Sequence, residues 1–323
     1  EPAVVELINQ KAVNSGHSRV VTLGALTAGL RGEHLSEMAA LQQAGCIGLS
    51  NARQPIENSL ILKRAFSYAA TFGLRVFIEP DEHWLSAGGC AHDGKIATRL
   101  GLKGIPVSAE TIAITRALEL VAETGVSVHF GRLSSAQGAE LIARAKHEQL
   151  AVSADVSAHQ LHLTEQDISS FYSACHVAPP LRTQRDMEAL RHAVANGTID
   201  AICSDHQPHD IDAKQAPFAS TEAGISSLET LLPLSLRLST QNSLDLNDVI
   251  SRITNSAASI LGLNAGTLSV GASADICIFD KDEDWQLSES NINSHGKNSP
   301  FLGWNFQGKV KHTIVSGRLL FSD

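Results

Sequence analysis

The sequence of 323 residues predicts an α/β protein built on a parallel β-sheet, with a small all-β module at its C-terminal end. Three observations support this fold class. Short, continuously apolar segments alternate with helical patterns, which is typical of parallel strands covered by helices on both faces. A hydrophobic content of 43% with 18% charged residues suits a globular chain with a sizeable core. From about residue 265 the pattern changes to short strands.

Six apolar segments before residue 265 are predicted to be strands, and helical patterns separate most of them. The strands are 19–26, 45–50, 74–79, 126–131, 150–156 and 199–204. Helices are predicted near 1–13, 34–44, 58–72, 108–124, 135–149, 226–238 and 245–261. A closed (β/α)8 barrel needs eight strand–helix units, whereas an open doubly wound sheet can use six. The order of elements alone does not distinguish a closed barrel from an open sheet.

The predicted domain organisation follows this change of pattern. Residues 1–264 form the α/β domain and residues 265–323 form the β module. No GxGxxG follows the first strand and no GxxxxGK[ST] occurs, so a nucleotide-binding fold loses support.

Composition excludes several classes of protein. The formal net charge of −9, without a Lys/Arg run, argues against a nucleic-acid or membrane-surface partner. No apolar run reaches the ~18 residues of a membrane span. The five cysteines are scattered without a CxxC pair, which suits a reducing, cytoplasmic location better than a disulfide framework.

Polar residues at the C-terminal ends of the predicted strands are the candidate functional residues, because chemistry gathers there in barrels of this type. They are Asn51 and Ala52 after the second strand, Glu79 after the third, His129 and Arg132 at the fourth, and Asp205 with His206 and His209 after the sixth.

Plainer interpretations stand beside these candidates. Asp205 could simply cap a strand end, since Asp is common in turns. His129 and Cys203 fit core residues, and His159 and His162 fit a structural or exposed role. One acidic loop could hold a single metal ion; its side chains are Glu79, Asp81, Glu82 and His83, with His92 nearby.

Seven segments together resemble the dihydroorotases of the amidohydrolase superfamily, and they cover nearly the whole chain. They are "AGCIGLSNARQPIENSLILKRAFSYA", "SAGGCAHDGKIATRLGLKGIP", "VAPPLRT", "GTIDAICSDHQPH", "GISSLETLLPL", "GTLSVGASADICIFD" and "GKNSPFLGW". The resemblance implies a (β/α)8 TIM-type barrel whose first units lie outside this chain, together with a C-terminal β-sandwich module. It also implies zinc-dependent ring closure of carbamoyl aspartate to dihydroorotate.

Most positions where the resemblance places metal ligands carry other residues here. The HxH pair and adjacent Arg of the family's first strand have no counterpart. Other residues stand at the family's Asp-Asp and His positions: Asn51 and Ala52 replace the Asp pair, and Glu79 and Arg132 each replace a His. Asp205 alone keeps the family's residue at a metal-site position, and His209 is a remnant of the substrate site.

Arg132 is the substitution with the clearest chemical consequence. A guanidinium has no lone pair for a metal and stays protonated at physiological pH. At ~4 Å and an effective dielectric constant of ~20, its contact with a dication costs about 8 kcal/mol. We therefore expect Arg132 to occupy the former metal cavity and to pair with Asp205, Glu79 or both, because a buried unpaired carboxylate is costly.

These expectations favour a catalytically inactive relative, a pseudoenzyme without a metal or other cofactor. Its resemblance to noncatalytic dihydroorotase-like subunits implies a structural role in pyrimidine biosynthesis, holding aspartate transcarbamoylase trimers in a dodecameric assembly. Two alternatives remain: a zinc-dependent dihydroorotase completed by an upstream segment, and a hydantoinase-type amidohydrolase. We also expect a homo- or hetero-oligomer, because an unpaired edge at the first strand invites association.

Overall fold

A six-stranded parallel β-sheet forms the centre of the molecule. The computed structural model describes residues 1–242 and 244–323 of the chain. The strands of the sheet are β1 (Thr22–Ala25), β2 (Cys46–Ser50), β3 (Arg75–Ile78), β6 (Val128–Phe130), β7 (Val152–Ser157) and β8 (Ala201–Cys203). The remaining strands of this part of the chain, β4 (Ala91–His92) and β5 (Gly104–Ile105), pair with each other. The sheet has the order β1-β2-β3-β6-β7-β8.

Helices follow most of the strands as the sequence predicts, and α4, α5 and α8 are helices that it did not predict. They are α1 (Pro2–Ser15), α2 (Met38–Gln43), α3 (Ser59–Thr71), α4 (His83–Ser86), α5 (Lys95–Leu100), α6 (Val107–Thr124), α7 (Ala136–His147), α8 (Gln184–Ala195), α9 (Leu228–Asn242), α10 (Leu246–Ile253) and α11 (Asn255–Leu261). The predicted α/β class with a parallel sheet is thus confirmed. No helix among the described residues is both long and apolar enough to cross a bilayer.

Local sequence signals explain where several helices begin. The Asn58 side chain accepts a hydrogen bond from the Leu60 amide at the start of α3. Thr183 and Asp186 form a reciprocal capping box at the start of α8. Such caps satisfy amides that have no partner within the helix. Asp186 also accepts from the Ala136 amide at 3.0 Å, so it joins the N-terminal ends of α7 and α8.

The main core lies between the sheet and the surrounding helices. The strands contribute side chains with no solvent exposure, including Leu49, Val76, Val128, Phe130 and Ala154. The strands are shorter than the apolar runs that predicted them, and the first begins at Thr22, not at Arg19. Arg19 instead donates to Ser273 in the C-terminal region at 3.1 Å.

The closed eight-stranded barrel remains a prediction. Within the described residues the sheet has six strands, and β1 and β8 form its two edges. An additional parallel bridge joins His206 to Ile225 beyond the end of β8.

The C-terminal region forms an antiparallel sheet that packs on α9. Its strands are β9 (Ile276–Gln286), β10 (Asn305–Val315) and β11 (Arg318–Ser322), in the order β11-β10-β9. The Arg237 guanidinium of α9 lies 5.2 Å from the Trp304 ring centroid. The described residues of this C-terminal region thus form one three-stranded sheet. The expected sandwich would need a second sheet, and the described residues of the region do not form one. The domain boundary at 264/265 stays a prediction.

Gly48 allows β2 and β3 to approach closely. A Cβ atom at this position would lie 2.6 Å from Phe77 Cε2 and 2.8 Å from the Arg75 carbonyl oxygen. We expect Gly48→Ala to lower the free energy of unfolding by about 1–3 kcal/mol, since a buried overlap forces side chains or strands to shift. Chemical denaturation measures this change. Gly131→Ala is the matched control, because its added Cβ would find its nearest atom at 3.7 Å. Equal effects of the two substitutions would contradict the packing argument.

Candidate functional site

Arg132 joins two carboxylates at the C-terminal edge of the sheet. Its Nη1 donates to Asp205 Oδ1 at 2.6 Å, and its Nη2 forms an ion pair with Glu79 Oε2. The three residues follow β6, β8 and β3, so the pairing joins three strand ends. The side chains of Arg132 and Asp205 are only 14% and 7% exposed. Both pairings expected for Arg132 are therefore present.

The backbone turns sharply where these side chains leave the strands. Ala52, Arg132 and Asp205 all have left-handed backbone conformations, with φ of 49°, 59° and 48°. This conformation costs a non-glycine residue roughly 1–2 kcal/mol. At Arg132 a hydrogen bond from its amide to Asp155 Oδ1, at 2.7 Å, offsets part of that cost. The turn directs the guanidinium back across the strand ends.

Arg53 contributes a second guanidinium to the same group. Its Nε donates at 2.9 Å to Glu79 Oε2, the oxygen that also accepts from Arg132, and its Nη2 donates to the Ala178 carbonyl oxygen. Burial and the charge of Arg132 lower the pKa of Arg53. Two guanidiniums and two carboxylates thus give a cluster without net charge, which we call the strand-end ion cluster: Arg53, Glu79, Arg132 and Asp205.

Asp205 is ionised in this setting. Burial opposes its charge, but the Arg132 charge and hydrogen bond outweigh burial and hold the pKa of Asp205 below its usual range. Gln207 Nε2 also donates to Oδ1 at 2.8 Å, and Ser157 Oγ lies 3.4 Å from Oδ2. Asp205 is therefore held as a hydrogen-bond acceptor within the cluster.

A second polar group lies beside the cluster on β6 and β7. His129 Nε2 donates to Asp155 Oδ2 at 2.8 Å, and His129 Nδ1 lies 2.8 Å from Ser153 Oγ. Burial opposes the charge of Asp155, but the hydrogen bond and charge of His129 outweigh it and lower the pKa of Asp155. Both nitrogens of the His129 ring are engaged, as expected of a satisfied buried histidine.

The prediction that Cys203 is a core residue is wrong. Cys203 is only partly buried and lines the cavity over the strand ends, because it is the last residue of β8 and faces the sheet opening. Its Sγ lies 3.3 Å from Asp155 Oδ1. Burial and the nearby charges of Asp155 and Asp205 raise the pKa of the Cys203 thiol well above its usual value. A protonated thiol of this kind is a poor nucleophile.

The other candidates make structural contacts. Asn51 accepts from Thr27 Oγ1 at 2.6 Å and donates to the Gln54 carbonyl oxygen at 2.9 Å, which fixes the loop after β2. His206 Nδ1 accepts from the Ser227 amide at the start of α9. The His209 ring donates to the Ala223 carbonyl oxygen at 3.0 Å. The hydrogen-bonding groups of these three side chains therefore hold loops and a helix start, and Ala52 offers only a methyl group.

The acidic loop after β3 uses its side chains locally. Glu82 accepts from the Leu85 amide at 3.0 Å, and Asp81 accepts from Ser86 Oγ at 2.7 Å. His92 lies 3.1 Å from Arg182. Among the described residues, no group of three His, Cys, Asp or Glu side chains is placed to hold a metal ion. The alternative of a metal site in this loop therefore gains no support from the described residues.

The residues at the strand ends also do not fit a zinc ion. Zinc needs about four donor atoms around a shared point, most of them imidazole, thiolate or carboxylate. Here the guanidinium of Arg132 lies between Glu79 and Asp205, and both carboxylates direct oxygens to it. In this arrangement the carboxylates of Glu79 and Asp205 are stabilised by the guanidinium of Arg132.

Sequence analysis did not identify Arg53 and Asp155 as parts of the site. Arg53 follows Asn51 and Ala52 directly, but the turn that returns its side chain to Glu79 is not visible in the residue pattern. Asp155 did carry a signal, because it is an ionisable residue inside an apolar strand, and such residues are rarely buried without partners.

Three buried histidines predict a loss of stability in mild acid. Burial lowers the pKa of His162 to about 3 and those of His159 and His176 to about 4, against 6.5 for a free imidazole. The unfolded chain therefore binds these protons first, and stability falls as the pH falls from 6.5 towards 4.

Urea denaturation across this pH range measures the effect. His176→Asn keeps a donor for Thr221, which lies 2.8 Å from the His176 ring. We expect this substitution to flatten the pH dependence and His147→Asn, at an exposed position, to leave it unchanged. A wild-type stability that stays constant over the range would contradict the prediction.

Comparison with known proteins places the chain in a family. The family model described as "Amidohydrolase family" matches residues 87–320, and the one described as "Dihydro-orotase-like" matches residues 3–137. A "Dihydroorotase-like protein" of Pseudomonas aeruginosa is 47% identical over 318 residues, covering 98% of this chain and 75% of that protein. The chain is a dihydroorotase-like member of the amidohydrolase superfamily. A "Dihydroorotase" of Geobacter sp. is 38% identical, over 99% of this chain and 75% of that protein.

Solved structures support the fold of this dihydroorotase-like chain. The L-hydantoinase (dihydropyrimidinase) of Arthrobacter aurescens superimposes with a TM-score of 0.84 at 26% identity, over 98% of this chain and 74% of that one. The dihydroorotase of Saccharomyces cerevisiae gives a TM-score of 0.75 at 17% identity, over 96% of this chain and 85% of that one. At 17% identity, the likeness to the yeast dihydroorotase concerns the fold alone.

Proposed function

We propose that this dihydroorotase-like chain is catalytically inactive and acts as a structural subunit in pyrimidine biosynthesis, assembled with aspartate transcarbamoylase. One observation carries the proposal. The Arg132 guanidinium lies between Asp205 and Glu79, at strand ends where the family resemblance puts a metal ion.

The chemistry of the strand-end ion cluster supports inactivity. Zinc hydrolases generate hydroxide from a metal-bound water. In this chain a permanent cation pairs with Asp205 and Glu79, and a divalent ion at ~4 Å from that cation would be repelled by about 8 kcal/mol. Asp205, the family's remaining carboxylate, is ionised but bonded to Arg132 and Gln207. Without a metal-bound water, Asp205 would have no activated water with which to exchange a proton.

The retained fold supports a structural role. The central sheet, its buried core and the segments of the family persist, although the residues at the metal-site positions differ. A fold can serve a new function once its original site is lost. Two relatives at 47% and 46% identity carry the name dihydroorotase-like protein, whereas those at 38% are named dihydroorotase. The transcarbamoylase partner rests on the family resemblance.

Two assays on the purified protein test the proposal. With zinc present, we expect no ring closure of carbamoyl aspartate above the rate of an Asp205→Asn control. Mixed with the catalytic subunit of aspartate transcarbamoylase, the protein is expected to form a complex larger than either component in analytical ultracentrifugation. Ring closure abolished by Asp205→Asn would overturn the inactivity, and separate sedimentation would overturn the partnership.

The rival function is zinc-dependent hydrolysis of a cyclic amide. It is favoured by the relatives named dihydroorotase at 38% identity and by the structural likeness to a hydantoinase. The turnover assay with carbamoyl aspartate distinguishes an inactive chain from an active dihydroorotase. The same assay with a hydantoin substrate tests for hydantoinase activity. In each case activity must depend on both zinc and Asp205.

The resemblance also supports a larger architecture. We infer that the six parallel strands belong to an eight-stranded barrel, in which two further strands would pair with the edges β8 and β1. Slow amide exchange along β1 in the assembled protein would support this closure, and exchange as fast as in a loop would contradict it.

A further inference from the structure

Arg182 is a buried cation without an ion-pair partner. It lies just before α8 and is only 3% exposed. None of the salt bridges formed by residues 1–242 and 244–323 includes it. Burial lowers the pKa of Arg182, although the negative charges of Glu110 and Asp186 act in the opposite direction. Such a charge is costly unless an anion pairs with it.

Glu110, the carboxylate that acts most strongly on Arg182, is occupied by other donors. Both oxygens of Glu110 accept hydrogen bonds from the backbone amides and hydroxyls of Ser134 and Ser135. Arg182 instead donates from Nε to Ser134 Oγ at 3.1 Å and from Nη1 to the Ile105 carbonyl oxygen at 2.6 Å. Its Nη2 makes no hydrogen bond with any group in the described part of the chain.

Arg182 lines a cavity of about 280 Å3 beside the strand-end ion cluster, and Arg53, Glu79 and Arg132 of that cluster also line it. Ligand pockets in proteins are typically about 300–1,000 Å3, so the cavity has the size of a small-molecule site. Its walls carry four arginines against three carboxylates. Arg53 and Arg116 also line it, and in each the Nη1 group has no hydrogen bond with the described residues.

The rest of the cavity wall is largely apolar. α3 and α6 contribute Leu62 and Ala113, the loop after β2 contributes Ile56, and β3 contributes Phe77. A ligand for this cavity therefore needs a negative group for Arg182 and an apolar body for the opposite wall.

We propose that this cavity binds a small organic carboxylate, with its carboxylate on Arg182 and its hydrocarbon part against α3 and α6. A planar carboxylate matches the guanidinium fork, and charge-assisted bonds of this type are strong. The cavity shares Arg53, Glu79 and Arg132 with the strand-end ion cluster, but Asp205 does not line it and the proposed carboxylate binds to Arg182, so its binding can be measured whether or not the protein is catalytically active.

Calorimetric titration of the purified protein with butyrate tests the proposal, with butyramide as the uncharged isostere and inorganic phosphate as a second anion. We expect saturable butyrate binding, a rise in the melting temperature with butyrate concentration, and neither effect from butyramide. Phosphate lacks an apolar body, and we expect it to bind more weakly than butyrate.

Two substitutions locate the binding. Arg182→Gln removes the cation and is expected to weaken butyrate binding by about tenfold or more. Ala113→Leu keeps every charge but fills the apolar wall, and it decides the question if Arg182→Gln does not fold. Arg144→Gln, at an exposed arginine on α7, is the matched control and should bind butyrate as the wild type does. Butyrate binding no stronger than that of butyramide or phosphate, or unchanged in Ala113→Leu, would overturn the proposal.

Discussion

Replacing Arg132 with alanine is expected to lower the free energy of unfolding at neutral pH by about 3–5 kcal/mol. The substitution leaves Asp205, whose side chain is 7% exposed, without the cation that holds it ionised. It also leaves Glu79 to Arg53 alone. Chemical denaturation of the wild type and the variant measures the difference. Arg144→Ala, at an exposed arginine, should change stability by less than about 0.5 kcal/mol.

The pH dependence separates charge from packing in this variant. In the wild type the pKa of Asp205 lies below 3.8, so the stability that its ion pair contributes is present above that pH and is lost as the pH falls through the folded-state pKa. Without Arg132, burial instead raises the pKa of Asp205, so the carboxyl group becomes neutral at a higher pH. The deficit of Arg132→Ala should therefore shrink as the solution is acidified.

A double substitution provides the second control. Arg132→Ala/Asp205→Asn removes the cation and the buried anion together, and we expect it to be more stable at neutral pH than Arg132→Ala alone. If the double variant were less stable than the single one, and the deficit were the same at every pH, the loss would come from packing. The electrostatic explanation of the cluster would then be wrong.

Replacing Glu110 with alanine is expected to destabilise the fold by a similar amount, about 3–5 kcal/mol. The Glu110 side chain, on a residue that is 3% exposed, accepts four hydrogen bonds from Ser134 and Ser135 at the start of α7. Its loss would leave four donors without partners in a buried region. It would also remove the carboxylate whose charge most raises the pKa of Arg182.

Glu119→Ala is the matched control for this prediction. Glu119 lies on the same helix, α6, but is exposed to solvent, so its removal should change stability by less than about 0.5 kcal/mol. Thermal or urea denaturation of both variants measures the contrast. A Glu110→Ala variant as stable as Glu119→Ala would show that the four hydrogen bonds contribute little.

The fold could be predicted from the sequence because its signals are local. Apolar runs such as 45–50 and 126–131 contain β2 and β6, and the helical patterns near 58–72 and 108–124 match α3 and α6 to within two residues. The strand ends were predicted less accurately. β1 begins at Thr22, and Arg19 before it bonds residues that flank the C-terminal strands, Ser273 and Asp275.

The site was only partly predictable, because its contacts depend on how loops return to the strand ends. The pairing of Arg132 with Asp205 and Glu79 follows from charge alone once the three residues share a sheet edge. The hydrogen bond from Arg53 to the same Glu79 could not be predicted from charge alone, since it depends on the turn at Ala52. The partial exposure of Cys203 depends on which way the last residue of β8 faces, and an apolar run does not reveal that.

Zinc-edge anomalous scattering from crystals grown with excess zinc tests the central claim most directly. If the Arg132 guanidinium has taken the place of the metal, the anomalous map should show no zinc within bonding distance of Asp205, and the guanidinium should remain between Asp205 and Glu79. A well-occupied zinc ion coordinated by Asp205, with Arg132 turned away from it, would contradict the account.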